Sequence, residues 1–193
     1  MPKLLLLILV LIAHEFTSAQ PPPGYTSVSD IAAFRKKMSE TTGKIGSVKA
    51  DFTQEKNLEA IEETVISKGA FRFERPGKIR MEYSSPYKYL LVINGEKITI
   101  RDERKTSSFS ARGNRLFTII NNIILDCMQG TALDNRDFKS TVYRNETHYL
   151  IVMVPVKKEL KDYFGNIRIH LDMKNMDVTR IDMNEPSGDQ TKI

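Results

Sequence analysis

Apolar and polar residues alternate along the chain from 47 to 102. The runs read S-V-K-A-D-F-T-Q, then K-G-A-F-R-F-E-R-P-G-K-I-R-M-E-Y, then K-Y-L-L-V-I-N-G-E-K-I-T-I-R-D. A period of two marks strands with one apolar face and one solvated face. Breaks fall at the polar stretch 56–63, at Arg75-Pro76-Gly77, at Ser84-Ser85-Pro86 and at Asn94-Gly95. The last is a two-residue turn whose positions both accept positive φ. The pattern predicts antiparallel strands joined by short turns. It does not say which face of each strand points inward.

The flanks change period. Ile31, Phe34 and Met38 lie three and four apart, the stripe of a short amphipathic helix. Ser29 or Asp30 caps it, and Gly43 is placed to end it in a left-handed conformation. Residues 103–113 read as a polar surface loop. Leu116, Phe117, Ile119, Ile120, Ile123, Ile124, Leu125, Cys127 and Met128 then fall within thirteen residues. This predicts a helix capped by Asn114, ended by Gly130, and apolar around much of its circumference. It is either an ordinary buried helix or one that touches an apolar surface and a ligand. Strands resume at 138–144 and 149–154 about Asn145-Glu146-Thr147. A helical turn follows at 157–164, then strands through Ile167, Ile169 and Leu171 and through Val178, Arg180 and Asp182. The stretch 185–189 is polar. The predicted fold is mainly β with α-helices: a sheet this large must curl, and the helices are available to cover its inner face.

The first twenty residues add a leader. Lys3 precedes an apolar run from 4 to 13, with small residues Thr17-Ser18-Ala19 at the cleavage positions. The run is long enough for an export signal and too short to span a bilayer. The expected organisation is a cleaved signal over 1–19, an extended Pro-rich lead over 20–28 and one domain over 29–193, exported and soluble. The formal net charge is +5. Its charges are dispersed, a solvated surface that gives little support for an anionic partner. Cys127 is the only cysteine and reads as a small core residue.

Candidate chemistry is sparse. His14 falls in the leader, and His148 and His170 stand alone in strand patterns without metal-ligand spacing. Nucleophile-elbow, phosphate-loop and dinucleotide motifs are absent. Glu62-Glu63 reads as solvated rather than as an acid–base pair. Basic residues alternate with Phe71, Phe73 and Met81, which puts them on opposite faces and argues against nucleic acid. The sequence offers no catalytic residue, cofactor or metal. An exported β protein with this much apolar face points to a greasy ligand.

The central stretch resembles the LolA family of outer-membrane lipoprotein carriers. The resemblance runs through residues 45–54 (I-G-S-V-K-A-D-F-T-Q) and 69–76 (G-A-F-R-F-E-R-P), then 79–83 (I-R-M-E-Y), Pro86 and 91–102. It continues more loosely to Gly188-Asp189-Gln190-Thr191. The resemblance implies an incomplete, strongly curved antiparallel β-barrel with an α-helical lid over a hydrophobic cavity. It implies a monomeric carrier of acylated lipoproteins, loaded by an inner-membrane ABC-type lipoprotein-releasing complex and unloading at the outer membrane, directly or to an acceptor there. An alternative on the same fold is a periplasmic lipid- or lipoprotein-binding sensor.

Under the resemblance, Phe52, Phe71, Phe73, Ile79, Met81, Leu91, Ile93, Ile98 and Ile100 line the cavity. Leu116, Ile119, Ile120, Ile123 and Ile124 form the lid. Arg75 becomes a latch to lid-helix carbonyls; without the resemblance it is a surface arginine beside a turn. Met81 stands where the family commonly has Trp. The chain also reaches Ile193 just after the G-D-x-T segment, where the family usually continues with further strand. An unpaired strand edge is therefore expected.

Overall fold

A computed structural model describes residues 20–113 and 115–193; of Arg115 and Leu116 it describes the backbone. The leader and the Asn114 cap lie outside the described residues. The described chain forms a single twelve-stranded antiparallel sheet in the order β1-β8-β9-β10-β11-β12-β2-β3-β4-β5-β6-β7. The strands are β1 (Thr26–Ser27), β2 (Ser47–Leu58), β3 (Glu63–Glu74), β4 (Lys78–Ser85), β5 (Tyr89–Asn94), β6 (Lys97–Arg101) and β7 (Thr106–Ser110). They continue with β8 (Phe138–Arg144), β9 (His148–Pro155), β10 (Asn166–Asp172), β11 (Val178–Asn184) and β12 (Gln190–Lys192). The end strands β1 and β7 do not pair, so the curled sheet stays open. This is the incomplete barrel with helices that the pattern and the resemblance implied.

Helix α1 spans Ile31–Thr42, and the Asp30 carboxylate accepts the Ala33 amide at 2.8 Å. Gly43 is right-handed, not left-handed, at φ −58°. Its amide still closes the helix onto the Ser39 carbonyl at 2.8 Å. Helix α2 spans Arg115–Gln129 and ends at Gly130 with φ +76°. A short α3 covers Lys158–Lys161.

Three local expectations change. The 56–63 loop shrinks to four residues, because β2 and β3 pair out to Leu58 and Glu63. The distal hairpin is polar because strand hydrogen bonds, not an apolar face, hold it there. The 103–113 loop contains the edge strand β7, whose Phe109 packs inward. The polar tail leads into β12, which pairs with β11 on one side and with Glu55, Lys56 and Asn57 of β2 on the other. The expected unpaired edge is thus confined to residues 47–54 of β2, which have no strand opposite them on that side among the described residues.

The connectivity decides where α2 sits. It leaves β7 at one edge of the sheet and must reach β8 near the other. The short route crosses the concave side. Two cores result. The first is built on β3–β6 around Phe73, Ile79, Met81, Leu91, Ile93 and Ile98. The second is built on β8–β11 around Val142, Ile151, Met153, Ile167, Ile169 and Leu171, with Phe34 and Met38 of α1. Helix α2 lies between them. Ile119, Ile123 and Cys127 enter the second core, while Phe117, Ile124 and Leu125 pack on the first.

Candidate functional site: the inner face, its lid and Arg75

The strand register gathers the nine candidate lining residues onto one face. Phe73 stands opposite Val48 and Ile79, Ile79 opposite Ile93, Ile93 opposite Ile98, and Ile98 opposite Phe109. One level along, Phe71 meets Met81, Met81 meets Leu91 and Leu91 meets Ile100. A third level joins Phe52, Gly69, Tyr83 and Tyr89. Cross-strand partners share a face, so these levels form one continuous apolar surface.

The lid covers that surface unevenly. Phe73, Ile79, Ile93 and Ile98 are at most 2% exposed. Met81 and Leu91 are each 9% exposed, and Phe71 and Ile100 are half-buried. The third level borders a trough of about 780 Å³ lined by Phe52, Tyr83 and Tyr89 and by charged residues of both signs: Lys68, Lys88 and Arg101, with Asp51, Glu82, Asp102 and Glu103. Of the nine candidates, only Phe52 lines the trough; the others lie in or beside the closed first core. Phe52 packs edge-on to Tyr83 at 5.0 Å, and Tyr83 to Tyr89 at 5.7 Å. A Cβ at Gly69 would come within 2.7 Å of the Phe52 ring and 2.4 Å of the Glu82 carbonyl, so glycine lets that ring lie flat across the strand. The Tyr83 hydroxyl donates to Gln54 Oε1 at 2.9 Å. Burial pushes both tyrosine pKa values up, with the nearby Asp102 charge adding to that of Tyr89.

The candidate lid residues divide between the cores. Ile124 faces the first core, whereas Ile119, Ile120 and Ile123 pack on the second; the Leu116 side chain lies outside the described residues. Phe117, Leu125 and Met128 also meet the first core. They were legible as part of the apolar run, but not as its sheet-facing side. Burial pushes the Cys127 thiol up to about 12, as befits a core residue.

Arg75 follows β3 in the turn beside α2. Its Nε donates to the Ile45 carbonyl at 2.6 Å, and its Nη2 to the Thr42 carbonyl at 2.8 Å and the Met128 carbonyl at 3.4 Å. Its backbone amide also donates to the Gly46 carbonyl at 3.0 Å. Thr42 ends α1, and Met128 lies in the last turn of α2. The guanidinium therefore meets carbonyls at the negative ends of two helix dipoles, that of Thr42 also accepting the Ile45 amide at 3.0 Å. Charge-assisted hydrogen bonds of this kind each contribute about 1.5–3 kcal/mol. Gly130 brings the helices together: a Cβ there would lie 2.4 Å from Thr42 Oγ1 and 3.2 Å from the Met38 carbonyl. On the other side of the turn, the Leu125 side chain approaches Gly77, and Gln129 Nε2 donates to the Pro76 carbonyl at 3.4 Å.

The family profile described as outer membrane lipoprotein carrier protein LolA matches residues 43–193. The chain belongs to the LolA family. An outer-membrane lipoprotein carrier protein of Nitrosospira multiformis is 42% identical over 55 residues, covering 28% of this chain and 27% of that one. A protein of the same name from Cupriavidus pinatubonensis is 36% identical over 75 residues, 37% of this chain and 35% of its own. The matches thus span about a quarter to a third of these curated relatives. A LolA superfamily protein of Nitrosomonas europaea has a TM-score of 0.38 at 11% identity, over 81% of this chain and 75% of that one.

Other polar groups in this LolA-family chain form local pairs. His170 Nε2 lies 3.1 Å from Asp182 Oδ2, which also accepts from Arg180 at 2.7 Å. His170 alternates along β10 with the core residues Ile169 and Leu171, which places this group on the face away from the lid. Among the described residues, no group of three or more His, Cys, Asp or Glu is placed to hold a metal.

Proposed function

We propose that this chain is a periplasmic carrier that takes the acyl chains of lipoproteins onto its inner sheet face and moves them from the inner to the outer membrane. An inner-membrane ABC-type complex loads it, and the outer membrane, directly or through an acceptor protein, receives the cargo. The leader over 1–19 directs export and is removed before Gln20. The membership in a family of lipoprotein carriers supports this reading. The observation that carries it is the continuity of the apolar levels, which run from under α2 to the partly buried Phe52, Tyr83 and Tyr89 at the border of the trough.

The energetics suit a reversible carrier. Burying an acyl chain is worth about 0.8 kcal/mol per methylene, or on the order of 10 kcal/mol for a long chain. A permanently open site would hold its cargo too tightly to release it. A face that closes under α2 recovers apolar burial when empty. The Arg75 fork adds to the closed state, so net affinity is the difference between two buried arrangements. The test is organic extraction of protein purified from the periplasm, followed by mass spectrometry of lipids and proteins. Co-purified acylated lipoprotein is the expected result. Free glycolipid alone would replace the cargo, and no apolar ligand after gentle purification would defeat the reading.

A further inference from the structure

Large apolar side chains are exposed at one end of the sheet only. Neighbouring strands are antiparallel throughout, so the β2–β3, β4–β5, β6–β7, β9–β10 and β11–β12 turns share an end. Among the described residues, the large apolar side chains left exposed are Ile61, Ile66, Tyr87, Val154, Val156 and Tyr163. All six lie in those turns or in the strand ends beside them. Exposed apolar residues scattered singly are ordinary; their confinement to one end is not. The trough reaches the same end, where Lys88 and Glu103 of the β4–β5 and β6–β7 turns line it.

Val154, Val156 and Tyr163 belong to the passage from β9 to β10 and are 46%, 51% and 40% exposed. This connection is a built platform. Leu160 and Phe164 enter the second core, the Val156 amide donates to the Asp137 carbonyl at 2.9 Å, and the Gly165 amide donates to the Asn184 carbonyl at 2.7 Å. Leu160 and Phe164 already supply its apolar anchorage, and Val156 and Tyr163 remain in water. Val154 and Val156 share the outer face of β9, with Lys139 opposite Val154. Arg136, Lys157, Lys158 and Lys161 join Lys139 around them, against the acidic Asp137, Glu159 and Asp162. Dispersed along the sequence, these charges come together once β8 pairs with β9. Lys157 pairs with Asp137, while Lys158 and Lys161 have no ion-pair partner among the described residues.

We propose that this platform seats the protein on a bilayer surface that carries anionic lipids. A protein interface of ordinary size closes a continuous apolar centre against water; here valine and tyrosine side chains stand among lysines. A lipid interface accepts that arrangement. The apolar side chains and the tyrosine ring enter the headgroup boundary, and the lysine stems lie along it with their charges at the lipid phosphates. The β2–β3 hairpin stays off this surface despite Ile61 and Ile66, because its tip carries Glu59, Glu62 and Glu63, which an anionic layer repels. Seated in this way, the protein turns its trough end to the membrane. The proposal concerns the surface that meets the bilayer and not what the sheet holds, so it stands apart from the carrier reading.

The test is co-sedimentation of the chain from Gln20, which holds every described element, with vesicles of phosphatidylcholine alone or mixed with phosphatidylglycerol. Wild type is expected to bind the mixed vesicles at least about tenfold more tightly, and less tightly as salt rises. Val156→Ser with Tyr163→Ser should weaken that binding at least about tenfold, and Lys158→Gln with Lys161→Gln by a similar factor. All four positions are exposed, so thermal midpoints should stay near that of wild type; if one pair misfolds, the other carries the test. Ile61→Ser should bind as wild type does. No binding of wild type to either vesicle overturns the inference and leaves the platform to a protein partner. Unchanged binding by the platform variants, or an equal loss with Ile61→Ser, also overturns it. Neither result touches the carrier reading.

Discussion

At the level of single residues, Arg75 joins parts of the chain that are far apart in sequence. Its place beside a turn was legible in R-F-E-R-P-G; its acceptors were not, because Thr42, Ile45 and Met128 come together only after the sheet curls. The shorter bonds go to the end of α1 and the segment just after it, and the longest goes to α2. Arg75 thus ties both helices and not the lid helix alone. Arg75→Leu replaces the polar fork by apolar contact. The variant is expected to load lipoprotein normally and unload poorly in a transfer assay between membranes; normal unloading would contradict the latch. Asp182 offers a second residue-level test. Burial alone would raise its pKa, but hydrogen bonds and charge from His170 and Arg180 outweigh that and hold it below the usual carboxylate range. A depressed pKa contributes stability that is present above the unfolded value, near 4, and is lost as pH falls through the folded value. Asp182→Asn should therefore flatten the acid side of the stability curve. Thermal scans from about pH 6 to about pH 3 that leave wild type and variant parallel would refute this.

At the level of elements, α2 departs most from an ordinary surface helix. Its apolar run already demanded contact on more than one side, and the crossing from β7 to β8 supplies two cores. Periodicity does not say which residue serves which core, since that depends on how the helix is rotated against a sheet built from distant strands. Asn121 was legible only as a polar residue between Phe117 and Ile124; that its Oδ1 is buried without a partner among the described residues needed the packed structure. The α1–α2 joint depends on Gly130. Its positive φ and the proximity of Thr42 predict that Gly130→Ala destabilises by about 2–4 kcal/mol, combining left-handed strain and overpacking. A lowered urea midpoint with unchanged m-value would measure this, and an unshifted midpoint would show that the helices separate without cost.

At the level of the whole molecule, the curled sheet and its partial cover create both closed core and open trough. The Phe52–Tyr83–Tyr89 level is only partly buried and borders the trough. Tyr89→Glu puts a carboxylate on that floor and is expected to weaken fatty-acid probe binding by at least about tenfold, because burying the charge against an acyl chain is costly. Binding at wild-type strength would place the chain elsewhere. The sequence by itself determined the strand alternation, the two-sided helix and the position of Arg75. Those features follow from side-chain direction within a few residues of backbone. Tertiary structure alone decided that β12 enters between β11 and β2, that the third level is only partly buried, that Arg75 reaches two helix ends, and that Asn121 Oδ1 lacks a partner among the described residues. Each depends on strand order and curvature, which bring together residues that local periodicity leaves independent.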